Sequence, residues 1–208
     1  MNASLNDSES IGAFFNPIHL WSGEEVVNRI APVPDEPGVY AWYFRDFPNL
    51  IPTEGCAQKE DVTLLYVGVA PKKPPTNGKK PSSQTIRKRI RKHLTGDAEG
   101  STLRLSIGSL LAAQLGIELR MTGRSGTTMG FVSDGTKSKG EKRLSDWMRL
   151  NAFVTWQVSE KPWLLEDQLI GRLNLPLNLS QNLSHSFHAT LSQARARAKE
   201  RAKSLPSV

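Results

Sequence analysis

The sequence predicts an α/β protein of the α+β type: a small, mainly antiparallel sheet of about three strands flanked by helices, with inserted loops and extra helices. Three observations carry that expectation. The runs "GVYAWYF" (38–44), "VTLLYVGVA" (62–70) and "AFVTWQV" (152–158) are short and rich in β-branched and aromatic residues. The first two follow one another through a loop without a helical crossover, so an antiparallel pair is the simple arrangement. Elsewhere apolar residues recur every three or four positions, the period of a helix with one buried face. A chain of 208 residues suits one substantial core with extensions.

Residues 1–20 lack a clear pattern and predict a loosely held arm. Ser22 and Glu25 form a capping box for a short helix through Ile30, and "APVPDEPG" then turns the chain into the first strand. After the second strand comes a proline- and lysine-rich loop. A helix follows from Thr85 to about Thr95, in which Ile86, Ile90 and Leu94 form one apolar stripe. The next helix is expected from Ser101 to Leu115, stopped by Gly116. Gly, Ser and Thr dominate from Thr122 to Gly140 and predict a mobile loop. A helix over Glu141–Leu150 leads into the third strand, and Pro162 opens the helix "PWLLEDQLIGRL". The chain ends in a basic helix, "LSQARARAKERAK". The expected division is an arm with a short helix (1–34), a core domain (35–184) and a basic C-terminal helix (185–208).

A formal charge of +7 and a pI near 9.7 predict attraction to polyanions, nucleic acid first and an acidic membrane surface second. Cys56 is the only cysteine, which excludes an internal disulfide and a thiolate metal cluster and suits a reducing interior. The N-terminus lacks a signal-peptide pattern, and no apolar run approaches the roughly 18 residues of a membrane helix. A cytoplasmic protein is expected.

Two helices hold polar residues where a helix buries its apolar side. At about 100° per residue, Glu166 is centred among Leu169, Ile170 and Leu173, while Asp167, Gln168 and Arg172 lie on the polar side. An ionised carboxylate is costly to bury unless paired or metal-bound, so Glu166 is either a salt-bridged core residue or a metal ligand facing a cleft. Arg89 and His93 lie one turn apart beside the Ile86/Ile90/Leu94 stripe and border the core; taken alone they read as a surface charge and a core-edge histidine. Arg87, Lys88, Arg91 and Lys92 face elsewhere, toward solvent or phosphates. Tyr40 and Tyr66 sit on neighbouring strands, each beside a glycine, in "GVY" and "YVG"; either tripeptide alone reads as packing.

Taken in order, "PGVYAWYF", "LLYVGVA", "IRKRIRKHL", "PWLLEDQLI" and "LPLN" resemble the GIY-YIG nuclease family, over Pro37 to about Asn182. The resemblance matches Tyr40 and Tyr66 to the two motif tyrosines, Arg89 to the helix arginine, Glu166 to the metal-binding glutamate and Asn178 to a later asparagine. His93 matches a histidine of the branch that includes some restriction enzymes. Val39 and Val67 replace the name-giving isoleucines, and Val69 stands where a lysine often follows the second motif. The longer loop before the basic helix offers Lys72, Lys73, Lys79 or Lys80 as substitutes.

The resemblance implies a DNA endonuclease with a single Mg²⁺ or Mn²⁺ held by Glu166. Arg89 would neutralise the phosphate in the transition state. Tyr40 would act as general base or proton relay, with Tyr66 orienting water or phosphate. A tyrosine of ordinary pKa, about 10, needs nearby positive charge for that role. His93 would accept the Tyr40 proton or fix its orientation, and Asn178 would orient a ligand or a backbone segment. Lys72, Lys73, Lys79, Lys80, Arg87, Lys88, Arg91 and Lys92 are the expected nucleic-acid contacts. The competing reading is a nucleic-acid-binding module that keeps the fold without cleavage. A membrane- or partner-binding role for the C-terminal helix is disfavoured because "QARARAKERAK" lacks bulky apolar anchors; it reads instead as a solvated helix or an extra phosphate grip, and with the 122–140 loop it is a candidate for target recognition.

Overall fold

The structure is a computed structural model that describes residues 11–77, 80, 82–123 and 126–208. In chain order its elements are α1 (residues 11–15), β1 (Trp21–Ser22), α2 (Gly23–Val27), β2 (Gly38–Phe44), β3 (Gln58–Lys59), β4 (Val62–Ala70), α3 (Ile86–Thr95) and α4 (Thr102–Leu110). They continue with α5 (Ala112–Leu115), β5 (Glu118–Thr122), β6 (Thr128–Val132), α6 (Lys137–Asn151), β7 (Ala152–Val158), α7 (Pro162–Arg172) and α8 (His188–Ser204).

One antiparallel sheet runs in the order β1, β7, β2, β4, β3, and β5 pairs with β6 apart from it. The expected three strands are its centre, with the bounds read from the sequence. The sheet has five strands because β1 and β3 extend it, and at two residues each they are too short to carry a period-two signal. All seven residues of β2 are buried. Tyr40, Trp42 and Phe44 face a core shared with α3, α4, α6 and α8, whereas Val39, Ala41 and Tyr43 face α7 and α1. A central strand covered on both faces reads as a continuous apolar run, which is why "GVYAWYF" does not alternate.

Four further expectations change. The span Thr122–Gly140 is a hairpin turn, β6 and the start of α6; its Gly123, Gly126 and Gly135 occupy positive-φ turn positions, so turn composition hides the strands. Gly140 is required by packing, since a Cβ there would stand 2.4 Å from the Phe131 carbonyl oxygen. The helix expected over Ser101–Leu115 breaks at Leu111 into α4 and α5, and Gly116 closes α5 in the left-handed conformation. From residue 11 the arm belongs to the core: Ile11 and Phe14 are buried against the second face, and the Tyr43 hydroxyl donates to the Phe14 carbonyl. Residues 1–10 lie outside the described residues. The capping box is formed, with Ser22 Oγ accepting from Glu25 N at 3.2 Å and Glu25 accepting from Ser22 N at 2.8 Å, but α2 ends at Val27.

A buried ion pair fixes the helical layer. The Arg104 guanidinium donates to the carbonyls of His93 and Leu94, at 3.1 and 3.2 Å, where α3 runs out of intrahelical partners. It also donates to Ser145 Oγ at 3.1 Å and to Glu141 Oε2 at 2.6 Å. Glu141 Oε1 in turn accepts from the N–H groups of Ala98 and Phe131, at 3.0 and 2.9 Å. One side-chain pair therefore joins α3, α4, β6 and α6.

Removing one member leaves the other buried and unpaired. Arg104→Met or Glu141→Gln should cost about 3–5 kcal/mol by denaturant titration, and the double variant Arg104→Met/Glu141→Leu clearly less than the sum.

Candidate active site

The register of β2 on β4 sets Tyr40 opposite Gly68 and Trp42 opposite Tyr66, which puts both tyrosines on the helical face as diagonal neighbours. Gly68 is the condition for this: a Cβ there would lie 2.5 Å from the Tyr40 ring and hydroxyl, so the ring crosses β4 only over a glycine. The hydroxyl reaches His93 Nε2 at 2.8 Å, and His93 Nδ1 lies 2.7 Å from Ser101 Oγ. Ser101 also caps α4, accepting from Arg104 N at 3.1 Å.

His93 is fully buried, with Tyr66 and Trp42 edge-on to its ring at centroid distances of 6.0 Å each. Burial, reinforced by Arg89 and Arg104, holds its pKa well below the ordinary histidine range, so the imidazole is neutral. The tautomer that donates Nδ1–H to Ser101 leaves Nε2 to accept the Tyr40 proton. Burial, then the neighbouring Tyr66, pushes the Tyr40 pKa far up, and Arg89 offsets this only in part. The positive charge that the tyrosine was expected to need is present, but in the free protein burial outweighs it. Tyr66 is likewise raised by burial, against a hydrogen bond with Thr102.

Arg89 lies one turn before His93, half-buried, with Nη1 donating to the Gly100 carbonyl at 3.1 Å. Glu166 comes from α7, on the far face of the sheet, where its helix buries Leu165, Leu169 and Ile170. Both faces meet at one place because β3 covers only Val62 and Thr63 of β4, leaving the outer edge beyond them free of a strand. Leu177 and Asn178 occupy that edge. Leu177 N donates to the Leu65 carbonyl at 3.0 Å, and the Asn178 amide both accepts from Val67 N and donates to Val67 O, each at 2.9 Å. Asn178 thus orients the backbone beside Tyr66, completing an edge as a strand would.

A cleft of about 450 Å³ opens there, walled by Tyr40, Tyr66, Arg89, Glu166 and Asn178, with His93 behind Tyr40. Burial, and secondarily Asp167, raises the Glu166 carboxyl to about 7, with Lys72 pulling the other way. Glu166 makes no ion pair among the described residues. Asp167 is exposed on the polar side of α7, where the helical period places it, and it also lines the cleft.

The basic residues disperse. Lys72 and Lys73 line the cleft, Lys80 is exposed, and Lys79 lies outside the described residues. Arg87 and Arg91 line a separate groove with Val26 and Val33, where Arg87 Nε donates to the Val33 carbonyl at 2.8 Å. Lys88 Nζ donates to the Ser83 carbonyl at 3.2 Å, and Lys92 pairs with Asp97 at 3.1 Å.

The sequence offers the C-terminal helix as an extra phosphate grip without singling out Arg195, which α8 carries into the cleft wall. A signal was available: Leu191, Arg195, Ala198 and Ala202 follow a 4-3-4 spacing that sets the arginine on the buried stripe of its helix. Thr102, beside Tyr66, carried no such mark. The apolar side of α8 is spent on α4 and β5, and no helix among the described residues is long and apolar enough to cross a membrane.

The family model described as the GIY-YIG catalytic domain matches residues 38–197. No curated protein and no solved structure matches the chain.

Glu166 has a folded-state pKa above its ordinary value, so its ionisation opposes folding as pH rises from about 4.5 to about 7 and fully above that. Glu166→Gln should raise stability by about 1–2 kcal/mol at pH 8, allowing for water in the cleft, and by nothing near pH 4. Thermal melts of both proteins across that range measure it.

Proposed function

The chain belongs to the GIY-YIG catalytic-domain family, and on that premise we propose that it is a divalent-metal-dependent endonuclease hydrolysing phosphodiester bonds in DNA. The observation that carries this reading is the convergence on one cleft of a buried Tyr40–His93 pair, the Arg89 guanidinium and a carboxylate without a cationic partner.

Glu166 fits a metal ligand on its own chemistry. A half-buried carboxyl raised to about 7, without an ion-pair partner among the described residues, is stabilised in its charged form by a bound cation. Among the described residues no group of three or more metal-ligating side chains exists, so Glu166, with Asp167 beside it, would leave most of the coordination to water and phosphate oxygens. Mg²⁺ and Mn²⁺ tolerate such a sphere, and either ion would neutralise the phosphoryl oxygens and ease departure of the 3′ oxygen.

The remaining roles follow from the side chains. Arg89 presents a planar fork of donors to the phosphate. Tyr40 is held protonated, so it works as a relay: it takes a proton from the attacking water while giving its own to His93 Nε2, 2.8 Å away. No free tyrosinate is needed. An incoming phosphate offsets Arg89, a cation that acts with burial to keep His93 neutral, and so improves it as the acceptor. Tyr66 orients water or phosphate, and Asn178 keeps the strand beneath it in register.

Plasmid, single-stranded and branched DNA incubated with Mg²⁺ or Mn²⁺ should be cleaved, and EDTA should abolish cleavage. Tyr40→Phe and Glu166→Ala should each lower the rate by about 10²-fold or more. Cleavage that survives both substitutions overturns the assignment, and binding without cleavage on every substrate favours the non-catalytic module.

Two finer outcomes are expected. At limiting metal the rate should climb as pH rises through about 7, because protons compete for Glu166, and saturating metal should move that limb to lower pH. Neutralising Lys72 and Lys73 should lower the log–log salt slope of duplex binding by roughly 0.9 for each phosphate that is no longer neutralised.

A further inference from the structure

We propose that Arg195 is a second phosphate-binding residue of the cleft, a guanidinium that the C-terminal helix delivers to grip the nucleic-acid strand together with Arg89. The inference rests on the nuclease reading and extends it to a residue that the motif resemblance does not include.

The placement of Arg195 is built into the packing. Leu191 and Ala202 bury one side of α8, and Ala198 packs against the same core. Arg195 shares that stripe but meets the cleft where the others meet the core. The far end of the helix is fastened to β5: Arg201 pairs with Glu118, Val208 N donates to the Met121 carbonyl at 2.9 Å, and Arg120 donates to the Pro206 carbonyl. The β5–β6 hairpin thereby serves as the mount that holds α8 in position.

Charge then points to the ligand. Arg195 is half-buried and makes no ion pair among the described residues, unlike Arg201 on the same helix. A partly desolvated, unpaired guanidinium is costly to keep and gains most from an anion with two oxygens at fork spacing. Burial depresses its pKa, and Tyr66 is the group that counters this. Arg89 and Arg195 both act on Tyr66, so an anion at the Tyr66 hydroxyl lies within the influence of both cations. In a phosphodiester substrate that anion is a strand phosphate.

The test measures binding of a short fluorescent DNA duplex by Glu166→Gln protein, alone and combined with Arg195→Gln or with Arg195→Lys. Cleavage kinetics are measured for the same Arg195 substitutions in protein that keeps Glu166. Arg195→Gln should weaken binding by about tenfold, lower the salt slope by roughly 0.9 and raise KM more than it lowers kcat. Arg195→Lys should restore the slope. Arg201→Gln, a control at the fastened end of α8, should lower thermal stability without changing the slope. Weaker binding with an unchanged slope would mean that Arg195 acts through packing, and it would overturn the proposal, as would undiminished binding by the Arg195→Gln protein. If the unsubstituted protein neither binds nor cleaves nucleic acid, the nuclease reading itself fails; if it cleaves and only the Arg195 results are negative, this inference alone fails.

Discussion

The buried guanidinium of Arg104 sits at the C-terminal end of α3, where it takes the carbonyls of His93 and Leu94 while its charge is met by Glu141. The candidate site depends on that contact, because α3 carries both Arg89 and His93 and its end could otherwise slide against the sheet. The N-cap of α4, Ser101, holds the same helix from the side by bonding His93 Nδ1. Glu141 extends the grip to β6 through the Phe131 N–H, so the hairpin and its attached α8 are tied to the same point. A buried ion pair adds little net stability compared with an apolar isostere, but it specifies one arrangement, and here that arrangement sets the distance from Tyr40 to His93.

The electrostatics of the cleft form a consistent set. Burial lowers the pKa of His93, raises that of Tyr40 and raises that of Glu166 to about 7, so in the free protein each of these groups is biased toward its neutral form. Two of these shifts would be relieved by what the proposed reaction brings: a cation would satisfy Glu166, and a phosphate would offset the Arg89 charge that helps keep His93 neutral. In the proposed function, the stability given up at Glu166 in the free protein would be recovered on metal binding.

Much of the fold was legible in the sequence because the central strands are rich in β-branched and aromatic residues, and β2 and β4 are buried on both faces. The bounds of β2, β4 and β7 follow directly from "GVYAWYF", "VTLLYVGVA" and "AFVTWQV". The edge strands β1 and β3 were not legible, since two residues cannot show a period, and the β5–β6 hairpin was hidden by the glycines its turns require. At the site, Glu166 was visible as a charge on an apolar face. The same test applied to α4 and α8 would have marked Arg104, between Leu103 and Leu105, and Arg195, between Leu191 and Ala198.

The central claim is that these side chains direct solvent water onto a phosphodiester. Single-turnover cleavage of a defined DNA duplex in H₂¹⁸O, with mass analysis of the new ends, measures this directly. The account predicts a 3′ hydroxyl and a 5′ phosphate carrying one solvent oxygen, with no DNA attached to protein at any time. Strand ends linked to a tyrosine, or new 5′ phosphates free of ¹⁸O, would contradict it.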